Sequence, residues 1–112
     1  MLIKKSESIK FQNSNNCTVW EYDFPSKKFG LATSFINGRY PEEGKGVNLE
    51  CQQIFFVISG SGTIYSDKGE FKIENGDSYL FEENEPYYIE GNNLSIIIIN
   101  APKWQKEQYK KI

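Results

Sequence analysis

Apolar residues recur along the chain in short segments that are separated by turn-forming residues. In Thr18–Phe24, aromatic residues alternate with Glu21 and Asp23, which is the period-two pattern of a half-buried β-strand. Gln53–Ile58 and Ser95–Asn100 are apolar on both faces, as expected of a strand with a neighbour on each side. The pattern predicts about eight or nine strands, with the spacing that is typical of a closed antiparallel barrel or jelly roll.

Clusters of glycine, proline and asparagine mark the predicted turns. Pro41–Gly46 is predicted as a loop, Ser59–Gly62 as a tight corner and Asp67–Gly69 as a hairpin turn. Gly91–Asn93 is predicted to turn the chain. The lysine-rich segment Lys103–Lys111 follows a proline and is a candidate for one short C-terminal helix.

The composition agrees with an all-β chain, because 13 isoleucines, 8 phenylalanines and 7 tyrosines far outnumber the 5 leucines and 2 alanines. The 112 residues fit a single domain, 1–112, without repeats or linkers. A net charge of −2 offers no basic surface to a phosphate backbone, so we expect no nucleic acid partner. We also expect no membrane association, because no apolar run is long enough to span one.

Histidine is absent, which excludes the commonest general base and the commonest metal ligand in proteins. The two cysteines, Cys17 and Cys51, are too few for a four-thiolate metal site, and we expect both to be reduced and buried. Met1–Lys10 lacks the apolar block of a secretory signal, so the expected location is the cytoplasm. No cofactor is expected.

Two glycine-anchored segments resemble the two motifs of the cupin family. Six residues separate Gln53 from Gly60, so Gln53 stands where the first motif has a glutamate. Tyr87 lies eleven residues after Gly76, where the second motif has a histidine. The resemblance covers residues 35–101 and implies a double-stranded β-helix, which is a jelly-roll barrel with its site in the barrel mouth.

The resemblance also implies where the metal ligands of a cupin would lie. The histidine pair of the first motif corresponds to Gly46 and Asn48, or to Val47 and Leu49 if the spacer is shorter. Neutral amides and a phenol bind first-row metals weakly. We therefore expect that the metal site is lost and that Asn48, Gln53 and Tyr87 contact a ligand instead. The alternatives are that Gln53 and Tyr87 bond each other or water in an empty cavity, and that Asn48 lies on an exposed loop.

Two further residues are candidates for ligand binding. Glu50 leads into the strand of Gln53, where it would face the cavity or lie on an exposed loop. Arg39 is the only arginine, and its planar guanidinium suits a carboxylate or a phosphate at a strand-to-loop junction. The alternative for Arg39 is a surface ion pair with Glu42 or Glu43.

Other side chains are open to a functional or a structural interpretation. Glu82–Glu85 is interpreted as part of a solvated loop, although Glu82 would otherwise supply a carboxylate at the barrel mouth. Four aromatic residues would either form a wall of the ligand site or pack in the core or a dimer interface: Trp20, Tyr40, Tyr88 and Trp104.

These observations lead to three hypotheses on function. The first is a metal-independent barrel that binds a small polar ligand, such as a carbohydrate. The alternative, suggested by analogy with cupins, is a metal-independent sugar isomerase or epimerase, with Glu50, Glu82 or Glu90 as base and Tyr87 as acid. The third is an interaction protein. In each case a homodimer is expected.

Overall fold

The computed structural model describes all 112 residues and consists of nine β-strands without an α-helix. The strands are β1 (Ile9–Ser14), β2 (Cys17–Tyr22), β3 (Gly30–Tyr40), β4 (Gly46–Asn48), β5 (Gln52–Ser66), β6 (Gly69–Glu74), β7 (Ser78–Phe81), β8 (Tyr87–Ala101) and β9 (Tyr109–Lys111). Two short 3₁₀ turns occupy Lys5–Glu7 and Lys106–Gln108. Neither is long or apolar enough to cross a membrane.

All nine strands belong to one antiparallel sheet that curls into a jelly-roll barrel, as the sequence predicts. β8 is central, because it pairs with β3 along one edge and with β5 along the other. β1 and β2 extend the sheet beyond β3, and β6 and β7 both pair with β5. β4 joins β8 through the pair Gly46 and Tyr87, which brings the two predicted motif segments together.

The segments Ser59–Gly62 and Gly91–Asn93 bend continuous strands and do not end them, which corrects the prediction of two turns. β5 and β8 each run for 15 residues through these segments. The register shifts on β5 between Val57 and Ser61, so the bend is made by β-bulges. Gly60 has φ +78° there, and a Cβ at this position would collide with the Asn93 carbonyl oxygen.

The lysine-rich C-terminal segment forms no α-helix, contrary to the prediction. After the 3₁₀ turn Lys106–Gln108, β9 pairs with β4 along its whole length. The Leu49 N–H also donates to the Gln108 carbonyl oxygen at 2.9 Å. Pairing of the tail with an open strand edge satisfies backbone groups that a short isolated helix would leave at its ends.

The core lies between the two halves of the bent sheet. It follows the alternation of β5, in which Gln53, Phe55 and Val57 point inward and Ile54 and Phe56 point outward. The largest fully buried side chains include Phe81, Ile36, Ile64, Ile89, Leu94 and Ile96. The same alternation therefore positions a polar amide, Gln53, on the inner surface beside an apolar core.

Candidate functional site

A cavity of about 510 Å³ opens between β2, β3 and the C-terminal tail. Its inner wall is formed by side chains from β4, β5 and β8, which meet although they are far apart in sequence. Apolar side chains make up more than half of the lining. The polar side chains that face it include Glu21, Ser34, Tyr40, Asn48, Gln53, Tyr87, Asn100, Trp104 and Tyr109.

A buried row of amide side chains forms one wall of this cavity. Asn48 Oδ1 accepts hydrogen bonds from Trp104 Nε1 at 3.1 Å and from Gln108 Nε2 at 3.0 Å. Asn48 Nδ2 donates to Gln53 Oε1 at 3.2 Å, and Gln53 Nε2 donates to Asn100 Oδ1 at 2.8 Å. The structure therefore brings together the predicted Asn48 and Gln53. It adds Asn100 and Gln108, which the sequence did not indicate, and Trp104, which was considered only for an aromatic wall.

Three tyrosine hydroxyls meet beside the amide row. Burial raises the pKa of Tyr87 well above its ordinary value, and the neighbouring Tyr109 and Tyr40 raise it further. Burial, followed by the effect of Tyr109, also raises the pKa of Tyr40. Burial raises the pKa of Tyr109 as well. All three phenols therefore stay protonated at neutral pH.

Tyr109 occupies the space that a side chain at position 46 would fill. A Cβ on Gly46 would collide with the Tyr109 hydroxyl. That hydroxyl is buried and has no hydrogen-bond partner in the protein. A phenol from the C-terminal tail thus lies where the cupin resemblance implied a motif ligand. No local sequence signal pointed to Tyr109, because its position depends on the pairing of β9 with β4.

Glu21 is the one carboxylate that lines the cavity. It lies on β2 together with Cys17 and Val19, whose alternation forms the inner face of that strand. Burial raises the pKa of the Glu21 carboxyl, Asp23 adds to this shift, and Lys103 opposes it. The aromatic alternation in β2 drew attention to the other face, where Trp20 lies under the Lys5 ammonium.

Two predicted ligand-binding residues, Glu50 and Arg39, have side chains outside the cavity lining. Glu50 is exposed, and it contributes only its backbone N–H, which donates to Gln108 Oε1 at 3.2 Å. The Arg39 guanidinium lies 3.9 Å above the Tyr88 ring and donates to the Gly44 carbonyl oxygen at 2.7 Å. Arg39 points to the side of β3 opposite the cavity, and Glu50 lies beyond the end of β4. Neither side chain therefore reaches the amide row.

The aromatic candidates divide between the two surfaces of the barrel. Tyr40 and Trp104 line the cavity. Tyr88 stacks on Tyr65 outside the lining, with ring centroids 4.5 Å apart. Of the four aromatic residues considered from the sequence, only Tyr40 and Trp104 therefore belong to the wall of the cavity.

The residues at the positions of the cupin metal ligands do not suit a metal ion. Both lone pairs of Asn48 Oδ1 accept hydrogen bonds, and Gln53 Oε1 also accepts one. Gly46 offers no side chain, and Tyr87 is held in its protonated, neutral form. The structure contains no group of three or more carboxylate or cysteine side chains arranged to hold a metal.

The two free cysteines are buried, as predicted, and are not bonded to each other. Cys17 lines the cavity, where its thiol lies 3.6 Å from the Ser34 hydroxyl. Burial raises the pKa of both thiols, and nearby Glu50 and Glu83 raise that of Cys51 further. Neither thiol is therefore activated as a nucleophile.

A bent, nine-stranded sheet with its site between the first strands and the C-terminal tail is the cupin-like β-barrel fold. No protein-family model matches the chain, and no curated protein sequence is significantly similar to it.

Solved structures of cupin-fold proteins superpose closely on this barrel. A variant of Streptomyces PAC13, determined with uridine, has a TM-score of 0.90 at 15% identity over 100% of this chain and 89% of PAC13. Ectoine synthase from P. lautus has a TM-score of 0.77 at 15% identity, covering 100% and 90% of the two chains. KdgF from Halomonas sp. has a TM-score of 0.78 at 10% identity, covering 93% and 96%. At sequence identities this low, the structural similarity shows a shared fold and nothing more.

Proposed function

We propose that the barrel binds a small polar compound, of the size of a nucleoside or a monosaccharide, without the help of a metal. The observation that carries this proposal is the buried amide row of Gln108, Asn48, Gln53 and Asn100, of which the last three line an open cavity of about 510 Å³. Ligand cavities have volumes of roughly 300 to 1,000 Å³ and combine apolar walls with a few oriented polar groups.

Proteins with similar structures support the choice of ligand class. PAC13 has been determined with uridine and is described as a nucleoside dehydratase. Another protein of similar structure is described as a sugar phosphate isomerase of the cupin superfamily. The shared fold supports a polar ring compound as the first class of ligand to test, and the amide row supplies the groups that would recognise it.

The ligand-binding proposal is tested with two adjacent glutamines on β5. Gln53 faces the cavity, whereas Gln52 is exposed and donates to Glu82 on the outer surface. Binding of a panel of nucleosides and monosaccharides is measured by thermal shift and then by calorimetry. We expect Gln53→Ala to weaken binding by about tenfold, since an unpaired polar group costs roughly 1–3 kcal/mol.

Gln52→Ala is the matched control and should bind as the wild type does. Native mass spectrometry of the purified protein adds a direct search for a compound that co-purifies. The proposal fails if no compound in the panel binds and none co-purifies, or if Gln53→Ala binds as tightly as Gln52→Ala.

A second candidate function is a metal-independent isomerase or epimerase, and the observation that favours it is Glu21. The bases considered from the sequence, Glu50, Glu82 and Glu90, do not line the cavity, whereas Glu21 does. Its raised pKa suits a group that accepts a proton from a carbon beside a carbonyl and returns it to the neighbouring carbon. Protonated phenols that line the same cavity would donate hydrogen bonds to the oxygen of the intervening enolate.

Hydrogen–deuterium exchange at carbon, followed by NMR with aldoses in deuterated water, tests this second function. We expect Glu21→Gln to lower the exchange rate by about 100-fold or more. Glu74→Gln, on the exposed strand β6, is the control and should leave the rate unchanged. The isomerase candidate is excluded if the wild type shows no exchange above the buffer rate, or if Glu21→Gln exchanges at the wild-type rate.

We further propose that two copies of the chain associate and that the protein acts in the cytoplasm on a small molecule. Exposed apolar side chains on the outer surface of β5 support the association. Two unpaired buried cysteines agree with a reducing compartment. The net charge of −2 agrees with a small-molecule partner in place of nucleic acid.

A further inference from the structure

Two groups that can only donate determine how the amide row is oriented. The Trp104 indole N–H donates to Asn48 Oδ1, and the Glu50 backbone N–H donates to Gln108 Oε1. Neither group can accept a hydrogen bond, so neither amide can be turned around without losing one. Gln108 must then present its Nε2 to Asn48, which gives Asn48 Oδ1 a second donor.

The orientation of Asn48 in turn fixes the orientation of each following amide in the row. Because Asn48 Oδ1 is saturated by two donors, its Nδ2 faces Gln53 Oε1. Gln53 Nε2 therefore faces Asn100 Oδ1. The last amide must then present its Nδ2 elsewhere, and Asn100 lines the cavity. Asn100 Nδ2 donates to no protein group, so the row ends in an NH₂ with both hydrogens free.

Other groups around the cavity add to this donor character. Three lysines line the cavity, Lys103, Lys106 and Lys111, together with the single carboxylate of Glu21. The Lys103 ammonium is already paired with Asp23, so Lys106 and Lys111 supply the additional positive charge. The Lys103 stem and Asn100 Nδ2 both lie beside Gly30. Electron-rich oxygen atoms are favoured in such a setting.

We infer that the amide row selects ligands that present carbonyl or carboxylate oxygens to Asn100, and disfavours ligands that present an amino group there. This inference rests on the proposed function, because it names the class of compound that the same cavity takes. The juxtaposition that carries it is a one-directional chain of four amides that starts at two obligate donors and ends in a free NH₂ group.

Two matched pairs of compounds test the inference by calorimetry. Uridine carries a carbonyl where cytidine carries an amino group, and D-glucuronate carries a carboxylate where D-glucose carries a hydroxymethyl group. We expect uridine to bind about tenfold or more tightly than cytidine, because the cytidine amino group leaves a donor facing a donor. We expect glucuronate to bind more tightly than glucose, because a carboxylate is a stronger acceptor for the NH₂ than a hydroxyl is.

Asn100→Asp keeps the acceptor for Gln53 Nε2 but replaces the free NH₂ with an oxygen. It should abolish or reverse the preference for the acceptor-bearing compound. Asn92→Asp makes the same chemical change on the same strand at an exposed position and should leave the preference unchanged. Asn100→Ala removes both groups, and it should reduce the preference without reversing it.

Each outcome distinguishes this inference from the proposed function. If both members of each pair bind equally, or if Asn100→Asp keeps the wild-type preference, the inference is wrong and the ligand-binding proposal stands. The same conclusion follows if none of the four compounds binds while another compound in the wider panel does. If nothing in the wider panel binds, both are wrong.

Discussion

Glu85 holds the loop between β7 and β8 in place through one buried carboxylate. Only 3% of this residue is exposed. The Tyr79 hydroxyl donates to it at 2.5 Å and the Glu82 N–H at 2.9 Å, and the Lys68 ammonium lies 3.3 Å away. The acidic run is therefore not simply a solvated loop, which corrects the interpretation made from its composition.

The protonation of Glu85 should affect stability in acid. Burial raises the pKa of the Glu85 carboxyl, but the hydrogen bonds from Tyr79, the Glu82 N–H and other donors outweigh it, so the pKa lies below its ordinary value. The unfolded chain has an ordinary glutamate pKa of about 4.3. The contribution of Glu85 to the free energy of unfolding is therefore complete above that pH and is lost as the pH falls through the lower native pKa.

We expect Glu85→Gln to lower the free energy of unfolding at pH 7 by about 1–3 kcal/mol, because an amide cannot replace the charged acceptor of three donors. The loss should shrink as the pH is lowered through the acid range. Urea unfolding at pH 7 and at lower pH measures both effects. Glu83→Gln, at the exposed neighbour in the same loop, should be close to neutral. An equal loss in both variants would contradict the assigned role of Glu85.

The amide row is also a residue-scale feature, and only part of it could be predicted. Asn48 and Gln53 were identified because a motif spacing marks their positions. Asn100 and Gln108 belong to no motif, since an amide in a strand or tail is ordinary in sequence, and Trp104 was considered only as an aromatic wall and not as a hydrogen-bond donor. Their role depends on partners about 50 to 60 residues away, which hydrophobic periodicity does not report.

At the scale of elements, the bends in β5 and β8 create the barrel. The two strands bend opposite one another, where Ser59 pairs with Ser95 and Ser61 with Asn92. Each strand can then contribute to both halves of the sheet while its backbone hydrogen bonds continue. Glycine in Ser59–Gly62 indicated a change of direction, but it did not distinguish a bend from a turn, because both need the same backbone freedom.

Gly60→Ala tests whether close packing at the bend contributes to stability. The alanine Cβ would collide with the Asn93 carbonyl oxygen at a φ of +78°. Gly76 has φ +90°, but nothing lies within 4 Å of an added Cβ. Gly76→Ala therefore measures only the free-energy cost of placing a side chain on a backbone with positive φ. We expect Gly76→Ala to lower the free energy of unfolding by about 1 kcal/mol and Gly60→Ala by roughly 3 kcal/mol or more.

Thermal or urea unfolding of the two glycine variants supplies the comparison. Similar losses in both would show that the opposing strand at the bend moves aside easily. In that case close packing at Gly60 would not hold the bend, and the bulges would not constrain the two halves of the sheet.

For the whole molecule, the outer surface of the sheet is unusually apolar. Five side chains on β5, β7 and β8 that are between 38% and 45% exposed belong to this surface: Ile54, Phe56, Ile58, Leu80 and Ile99. Ile54 pairs with both Leu80 and Ile99, so the apolar side chains are contiguous across three strands. An exposed patch of this kind favours association of two copies, as proposed above.

Light scattering at micromolar concentration tests the association. We expect the wild type to be a dimer and Ile54→Glu to shift it to monomer, because a buried unpaired carboxylate would oppose the contact. Ile9→Glu makes the same change at an exposed isoleucine on the edge strand β1 and should leave the dimer intact. A monomeric wild type, or a dimer that Ile54→Glu does not weaken, would refute this interface.

The sequence by itself determined the all-β class, and the spacing of two cupin-like motifs indicated that Gln53, Asn48 and Tyr87 lie at one site, because composition, alternation and glycine spacing are local properties of the chain. Tertiary structure decided the rest: the free NH₂ of Asn100, the phenol of Tyr109 over Gly46, the carboxylate of Glu21, and the displacement of Glu50 and Arg39 from the cavity. These depend on which distant strands pair and on how the tail closes against β4. Such long-range pairings bring side chains together that no segment of the sequence contains as a unit.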